Sequence, residues 1–130
     1  VPPKRGHMKI LIVDDSATSR QILVKYLAEL GYTDIVQAVD GVQGLQRLRD
    51  TADIKLVLLD RYMPNMDGLE FMRRFSSDPR NQYVQVSMVT TEDDMGEKLK
   101  TIAEYKADYY ITKPVTPQAL VRMFSKLFGD

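Results

Sequence analysis

Leu56-Val57-Leu58-Leu59-Asp60 is the stretch that most narrows what this chain can become. Four consecutive apolar residues read as a strand buried on both faces, the pattern of the interior of a parallel sheet. The carboxylate that ends the run belongs to no core. It marks the carboxyl edge of the sheet, where open α/β folds bind their ligands. Pro64 and Asp67-Gly68 follow at once and turn the chain away from the sheet.

The same grammar repeats. Met8 to Val13 is a second apolar run that stops at Asp14-Asp15, with Ser16 as an N-cap. Ile22, Leu23, Tyr26, Leu27 and Leu30 then recur at helical spacing up to Gly31, a C′ residue. Thr33 to Ala38 carries a weaker strand, and Asp40-Gly41 opens a second helix with Val42, Leu45 and Leu48 as its stripe. A third helix is expected from Gly68 to about Phe75, with Leu69, Met72 and Phe75 facing inward and a polar loop from Ser76 to Asn81. Val84, Val86, Met88 and Val89 form a fourth strand ending at Thr90-Thr91. A fourth helix is expected from about Asp93 to Tyr105, burying Met95, Leu99 and Ile102. Tyr109-Tyr110-Ile111 is a short fifth strand ending at Thr112-Lys113-Pro114. Thr116 then caps a fifth helix with Pro117 at its first position and Leu120, Met123, Phe124 and Leu127 inward.

Strand followed by helix, five times, implies a doubly wound α/β domain with right-handed crossovers. The expected architecture is flavodoxin-like: five parallel strands in the order 2-1-3-4-5 with five helices. At 130 residues there is room for one such domain. Residues 8–130 are read as that domain, and residues 1–7 as the remnant of an expression vector, ending Gly6-His7 before a natural start at Met8. His7 is the only histidine and there is no cysteine, so neither residue type is expected to serve catalysis or a metal. The 18 basic and 18 acidic residues balance, which argues against a nucleic-acid partner. No apolar run approaches the roughly 20 residues of a membrane span, and the leader lacks a signal peptide's apolar core. A cytoplasmic monomer is the expectation.

Polar residues collect at the carboxyl ends of the strands: Asp14 and Asp15, Asp60, Thr90 and Lys113. In the order 2-1-3-4-5, strands one and three meet at the topological switch point, so the three carboxylates would converge. They repel unless a cation intervenes. Oxygen ligands without histidine or cysteine suit a hard, partly hydrated ion, and Mg²⁺ fits best. A carboxylate nucleophile beside Mg²⁺, a lysine and a hydroxyl is a phosphoryl-transfer set.

Five motifs, in order and each after an expected strand, carry a resemblance. They are Asp14-Asp15, Asp60, Met63-Pro64-Asn65-Met66-Asp67-Gly68, Met88-Val89-Thr90 and Lys113-Pro114 with Thr116. From Met8 to about Phe128 the chain resembles a response-regulator receiver domain, nearest to the single-domain chemotaxis type. The resemblance implies that Asp60 is the phosphoacceptor, taking phosphate from the phosphohistidine of a sensor kinase or phosphotransfer protein. It implies Mg²⁺ ligation by Asp15 and Asp60, by Asp14 directly or through water, and by the backbone carbonyl of Tyr62. Thr90 and Lys113 would hold the phosphoryl group, and the bond before Pro114 would be cis. Tyr110 would rotate as Thr90 moves, switching an output face made of the fourth helix, fifth strand and fifth helix. Such a module is a signalling switch, with no turnover of an external substrate. Its partners would include a kinase, an output protein such as a flagellar motor switch protein, and a phosphatase.

Three positions depart from the usual pattern. Tyr62 is large where smaller polar residues are common, and Glu92 lies two residues past Thr90; both are expected to tune the lifetime of the phosphate. Lys106 stands where a glycine is frequent and is expected to take φ > 0. Other readings are weaker. An aspartyl phosphatase wants a second acid two residues after the nucleophile, where Tyr62 stands. A flavin carrier would have its phosphate repelled by Asp14-Asp15. A receiver-like domain that works without phosphorylation would not need the intact acidic and lysine set. Ending two residues past Phe128, the chain reads as a stand-alone regulator, a phosphorelay shuttle or an excised receiver.

Overall fold

A computed structural model describes residues 5–91 and 106–129 of the chain. After a 3-10 turn at Arg5–His7, β1 (Lys9–Val13), β2 (Asp34–Ala38), β3 (Ile54–Asp60), β4 (Gln85–Thr91) and β5 (Tyr109–Lys113) form one parallel sheet in the order β2-β1-β3-β4-β5. The helices are α1 (Ala17–Glu29), α2 (Gly41–Asp50), α3 (Gly68–Ser77) and α4 (Pro117–Phe128), with a 3-10 turn at Pro79–Asn81. The flavodoxin-like topology expected from the sequence is therefore present. The helix anticipated from about Asp93 to Tyr105 lies outside the described residues, so the final helix is α4 here.

Strand side chains alternate between two faces, and each face has its own core. Leu11, Val13, Val57, Leu59, Val86 and Met88 pack with Phe71, Met72 and Phe75 of α3. Ile10, Ile12, Leu56, Leu58, Val89 and Ile111 pack with Leu23 and Leu27 of α1 and Leu120, Met123 and Phe124 of α4. On this second face the Tyr32 and Phe124 rings stack with centroids 4.0 Å apart.

Local chemistry fixes the helix starts. Ser16, Asp40, Asp67 and Thr116 each accept a backbone N–H three residues on, supplying the N-cap that α1, α2, α3 and α4 need. Gly31 closes the end of α1 at φ 95°, and Lys106 takes φ 59° as its place in the sequence implied. The stretch Ser76 to Asn81 is more ordered than a loop: α3 runs to Ser77, and Asp78 caps the following turn.

Two side-chain expectations are corrected. Ile22 and Val42 are both 43% exposed and do not face the core. In α1 the buried line is Leu23 and Leu27, which leaves Ile22 on the flank. In α2 the buried residues are Gly41 and Gly44, so the helix lays its backbone against the sheet. A Cβ on Gly44 would stand 2.9 Å from Val13 Cγ2 and 3.2 Å from Phe71 Cε2, closer than packing allows without a shift. Gly68 opens α3 as expected, and Asp67, read as turn chemistry, also serves as its N-cap.

Candidate functional site at the carboxyl edge of the sheet

β1 pairs with β3 so that Val13 sits beside Leu59, which brings the next residues, Asp14 and Asp60, together at the sheet's carboxyl edge. Asp14 is buried, Asp15 exposed and Asp60 only 8% exposed. One carboxylate oxygen from each lies within 4.8 Å of those from the other two. Lys113, the last residue of β5, reaches across β4. Its Nζ donates to Asp60 Oδ1 at 3.3 Å and lies 3.8 Å from Asp14 Oδ2. The convergence expected of these four residues is present.

Burial holds the Asp60 carboxyl above its ordinary value of 3.8, and the neighbouring Asp14 charge adds to that rise. The charge and hydrogen bond of Lys113 pull it back down, while Asp15 pushes it up slightly. Opposite charges 3.3 Å apart gain about 5 kcal/mol at an effective dielectric of 20, before desolvation takes back most of it. Among the described residues, one cation, Lys113, thus faces a cluster of three carboxylates. That imbalance, with an all-oxygen donor set, fits a hard divalent ion and makes the cluster able to hold a metal.

The other expected residues surround this cluster. Asp60 pairs with Val89 in the sheet, so Thr90 stands at the same edge and is buried. Tyr110 is buried in the first core beside Met88, its partner across the β4–β5 ladder. Met88, Thr90 and Tyr110 therefore share one face of the sheet. The Lys113–Pro114 bond is cis. Tyr62 is 58% exposed, and the buried Arg61 guanidinium lies 5.0 Å from its ring centroid. Glu92 lies outside the described residues.

Two supports of the site were not read from the sequence. Arg20 of α1 donates from Nη1 to the carbonyl of Asp14 at 2.7 Å. The loop after Asp60 is latched to the start of α2: Asn65, at φ 71°, donates to Asp40 Oδ2 at 3.2 Å, and Met66 is buried against Gly41. An arginine in the first turn of a helix, against the helix dipole, was the available signal for the first. The second had none, because its partners stand 25 residues apart.

Beside the cluster, an apolar cleft of about 460 Å³ opens between α1 and the segment after β5, lined by Asp14, Ile22, Tyr26, Val89, Lys113 and Pro114 among others. The exposed Ile22 forms one wall of it.

Comparison with known proteins agrees with this geometry. A family model described as the response regulator receiver domain matches residues 10–125. Chemotaxis protein CheY1 of Helicobacter pylori is 40% identical over 124 residues, covering 94% of this chain and 98% of that protein. A chemotaxis protein CheY homolog of Campylobacter jejuni is 37% identical over 94% of this chain and 93% of its own length. Among solved structures, chemotaxis protein CheY4 of Vibrio cholerae superposes with a TM-score of 0.81 at 27% identity, over 93% of this chain and 98% of that one. With the strand order, the acidic cluster at its switch point and a match across most of its length, the chain belongs to the response regulator receiver family.

Proposed function

We propose that the chain is a phosphorylation-activated response regulator in which Asp60 accepts the phosphoryl group. The observation that carries this reading is Lys113 Nζ at 3.3 Å from Asp60 Oδ1, inside a cluster of three carboxylates. An oxygen of Asp60 attacks the phosphorus of a phosphohistidine on a sensor kinase or phosphotransfer protein. The P–N bond breaks and the imidazole leaves. Later attack by water on the same phosphorus returns the carboxylate and releases inorganic phosphate. Both steps act on the protein's own side chain, so the module is a switch and no enzyme for an external substrate.

Asp14, Asp15, Asp60 and the backbone carbonyl of Tyr62 are the proposed ligands of Mg²⁺. When bound, the ion offsets carboxylate repulsion and the charge of the phosphoryl oxygens. Lys113 gives up its bond to Asp60 Oδ1 for one to a phosphoryl oxygen, and Thr90 donates its hydroxyl to another. The phosphate adds about −1.5 to −2 charges. The displacement of Thr90 toward it frees space on the face shared with Tyr110, whose ring follows. The output surface would comprise β5, α4 and the helix expected at about 93–105. The exposed Tyr62, braced by Arg61, and Glu92 are the proposed determinants of phosphate lifetime, through access of water to the acyl phosphate.

The relatives named as chemotaxis proteins support a role in chemotaxis. A cytoplasmic location and a flagellar motor switch protein as output partner belong to the same proposal. No helix among the described residues is long and apolar enough to cross a membrane.

The test is incubation with Mg²⁺ and acetyl phosphate, read by intact mass. The wild type gains one phosphate and Asp60→Asn gains none. No gain in the wild type, or equal gain in the variant, overturns the reading.

A further inference from the structure

We infer that Arg20 is a positioning residue for the cation, clamping the backbone of Asp14 so that its carboxylate is held ready for the metal. The inference rests on the proposed Mg²⁺ site and concerns a residue that touches neither ion nor phosphate.

Asp14 is held at four atoms. Its N–H donates to the carbonyl of Ala38 at 3.1 Å, tying the end of β1 to β2. Its carbonyl accepts from Arg20 Nη1 at 2.7 Å. Oδ1 accepts the N–H of Ser16 at 2.9 Å, and Oδ2 faces Lys113 Nζ at 3.8 Å. A carboxylate pinned at one oxygen by a backbone donor presents the other in a set direction. That direction depends on the backbone at residue 14, where the strand has ended and the ladder no longer supports the carbonyl. Among the described residues, the guanidinium is the donor that holds it.

Arg20 is itself held. Its Nε donates to Gln37 Oε1 at 3.0 Å, and the carbonyl of Gln37 accepts from Arg47 Nε at 3.1 Å. The clamp therefore spans β1, β2 and α2, and the fork geometry of arginine lets one side chain bond both Asp14 and Gln37. Its place in the helix points the same way. Arg20 is the fourth residue of α1, where the positive end of the helix dipole disfavours a cation. The bond to Asp14 and the nearby acidic cluster supply what the helix does not.

Groups that orient metal ligands from behind commonly matter about tenfold or more to metal affinity. Mg²⁺ binding to unphosphorylated protein is measured by calorimetry for the wild type, Arg20→Lys, Arg20→Met and Gln37→Ala, together with the Mg²⁺-induced rise in Tm. Arg20→Met should weaken Mg²⁺ about tenfold, with most of the acetyl phosphate reaction recovered at saturating Mg²⁺. Arg20→Lys, which keeps one donor, should fall between it and the wild type, and Gln37→Ala should lose about twofold to threefold.

A purely structural role would lower Tm equally with and without the ion. Positioning shrinks the Mg²⁺-induced increment, because that increment follows the affinity. If Arg20→Met folds and binds Mg²⁺ as tightly as the wild type, the inference fails while the phosphoacceptor reading stands. Should Arg20→Met fail to fold, an unchanged affinity in both Arg20→Lys and Gln37→Ala overturns it. A wild type that neither binds Mg²⁺ nor takes phosphate overturns both readings.

Discussion

From Leu56 to Leu59 every side chain of β3 is buried among apolar partners, whereas Asp60, one residue further, is buried among charges. The two regions share a strand, a ladder and nearly the same degree of burial. Their contributions have opposite sign. Each buried Leu or Val contributes about 1.5–3 kcal/mol from lost water contact. Asp60 loses its hydration, meets two like charges and has one lysine in return. The apolar interior holds the sheet together well enough to keep an unfavourable carboxylate at its edge, and that carboxylate is what gives the edge its chemistry.

The largest expected effect lies in the apolar region. Phe71 is fully buried, stacks on Phe75 with centroids 6.1 Å apart and lies against the Gly44 backbone of α2. Phe71→Ala should cost about 3–5 kcal/mol, lowering the midpoint of urea unfolding with little change in slope. Val42→Ala on the exposed side of α2 is the control and should shift stability by about 0.5 kcal/mol or less. A loss at Phe71 as small as that at Val42 would break the division between the two regions.

At the edge the sign should invert. A carboxyl whose folded-state value is raised binds its proton more tightly in the folded protein than in the unfolded one. Its contribution is therefore favourable at low pH and is lost as pH rises from about the ordinary value of 3.8 through the raised folded value. At neutral pH the ionised Asp60 destabilises the metal-free protein. Asp60→Asn, which keeps the shape and removes the charge, should raise the metal-free Tm at neutral pH by a few degrees and lose that advantage in acid. Mg²⁺ should raise Tm for the wild type and do little for the variant. A variant less stable than the metal-free wild type at neutral pH would mean that Lys113 more than compensates the burial of Asp60.

The same contrast explains what was legible in the sequence. Apolar runs that end in Asp, Thr or Lys announce both a strand and where it stops, so the strands and the polar residues at their ends were legible from pattern. The convergence of Asp14, Asp15, Asp60 and Lys113 followed only once the strand order 2-1-3-4-5 was taken from the flavodoxin-like fold. Capping by Ser16, Asp40 and Thr116 was equally readable, because its partners lie three residues away. What pattern could not reveal was set by close approach. Gly41 and Gly44, rather than Val42, turn α2 toward the sheet, and a glycine carries no hydrophobic signal. Met63 and Met66 lie in a loop, yet both are buried, because Met66 fills the space that Gly41 leaves. Arg20 stands six residues from Asp14, and its bond to the Asp14 carbonyl is set by the fold.

The smallest expected effect tests whether an interior polar group behaves like the edge or like the core. Ser87 lies three residues before Thr90 on β4, pairs with Leu58 and Tyr109, and has no exposed surface. Its hydroxyl has no hydrogen-bond partner among the described residues. Unlike Asp60 it has no part in the proposed chemistry. By alternation it points to the face of Val89 and Ile111, which belong to the second hydrophobic core. A desolvated hydroxyl without a bond costs stability, and Ser87→Ala, which turns the hydroxymethyl group into a methyl, removes that cost while leaving a void no larger than one oxygen atom. Ser87→Ala should therefore raise the unfolding free energy by about 0.5–1 kcal/mol, read from the urea midpoint, and leave phosphate incorporation at Asp60 unchanged. A loss of similar size would show that the hydroxyl has a partner, and that the sheet interior, like its edge, holds a polar group through a bond of its own.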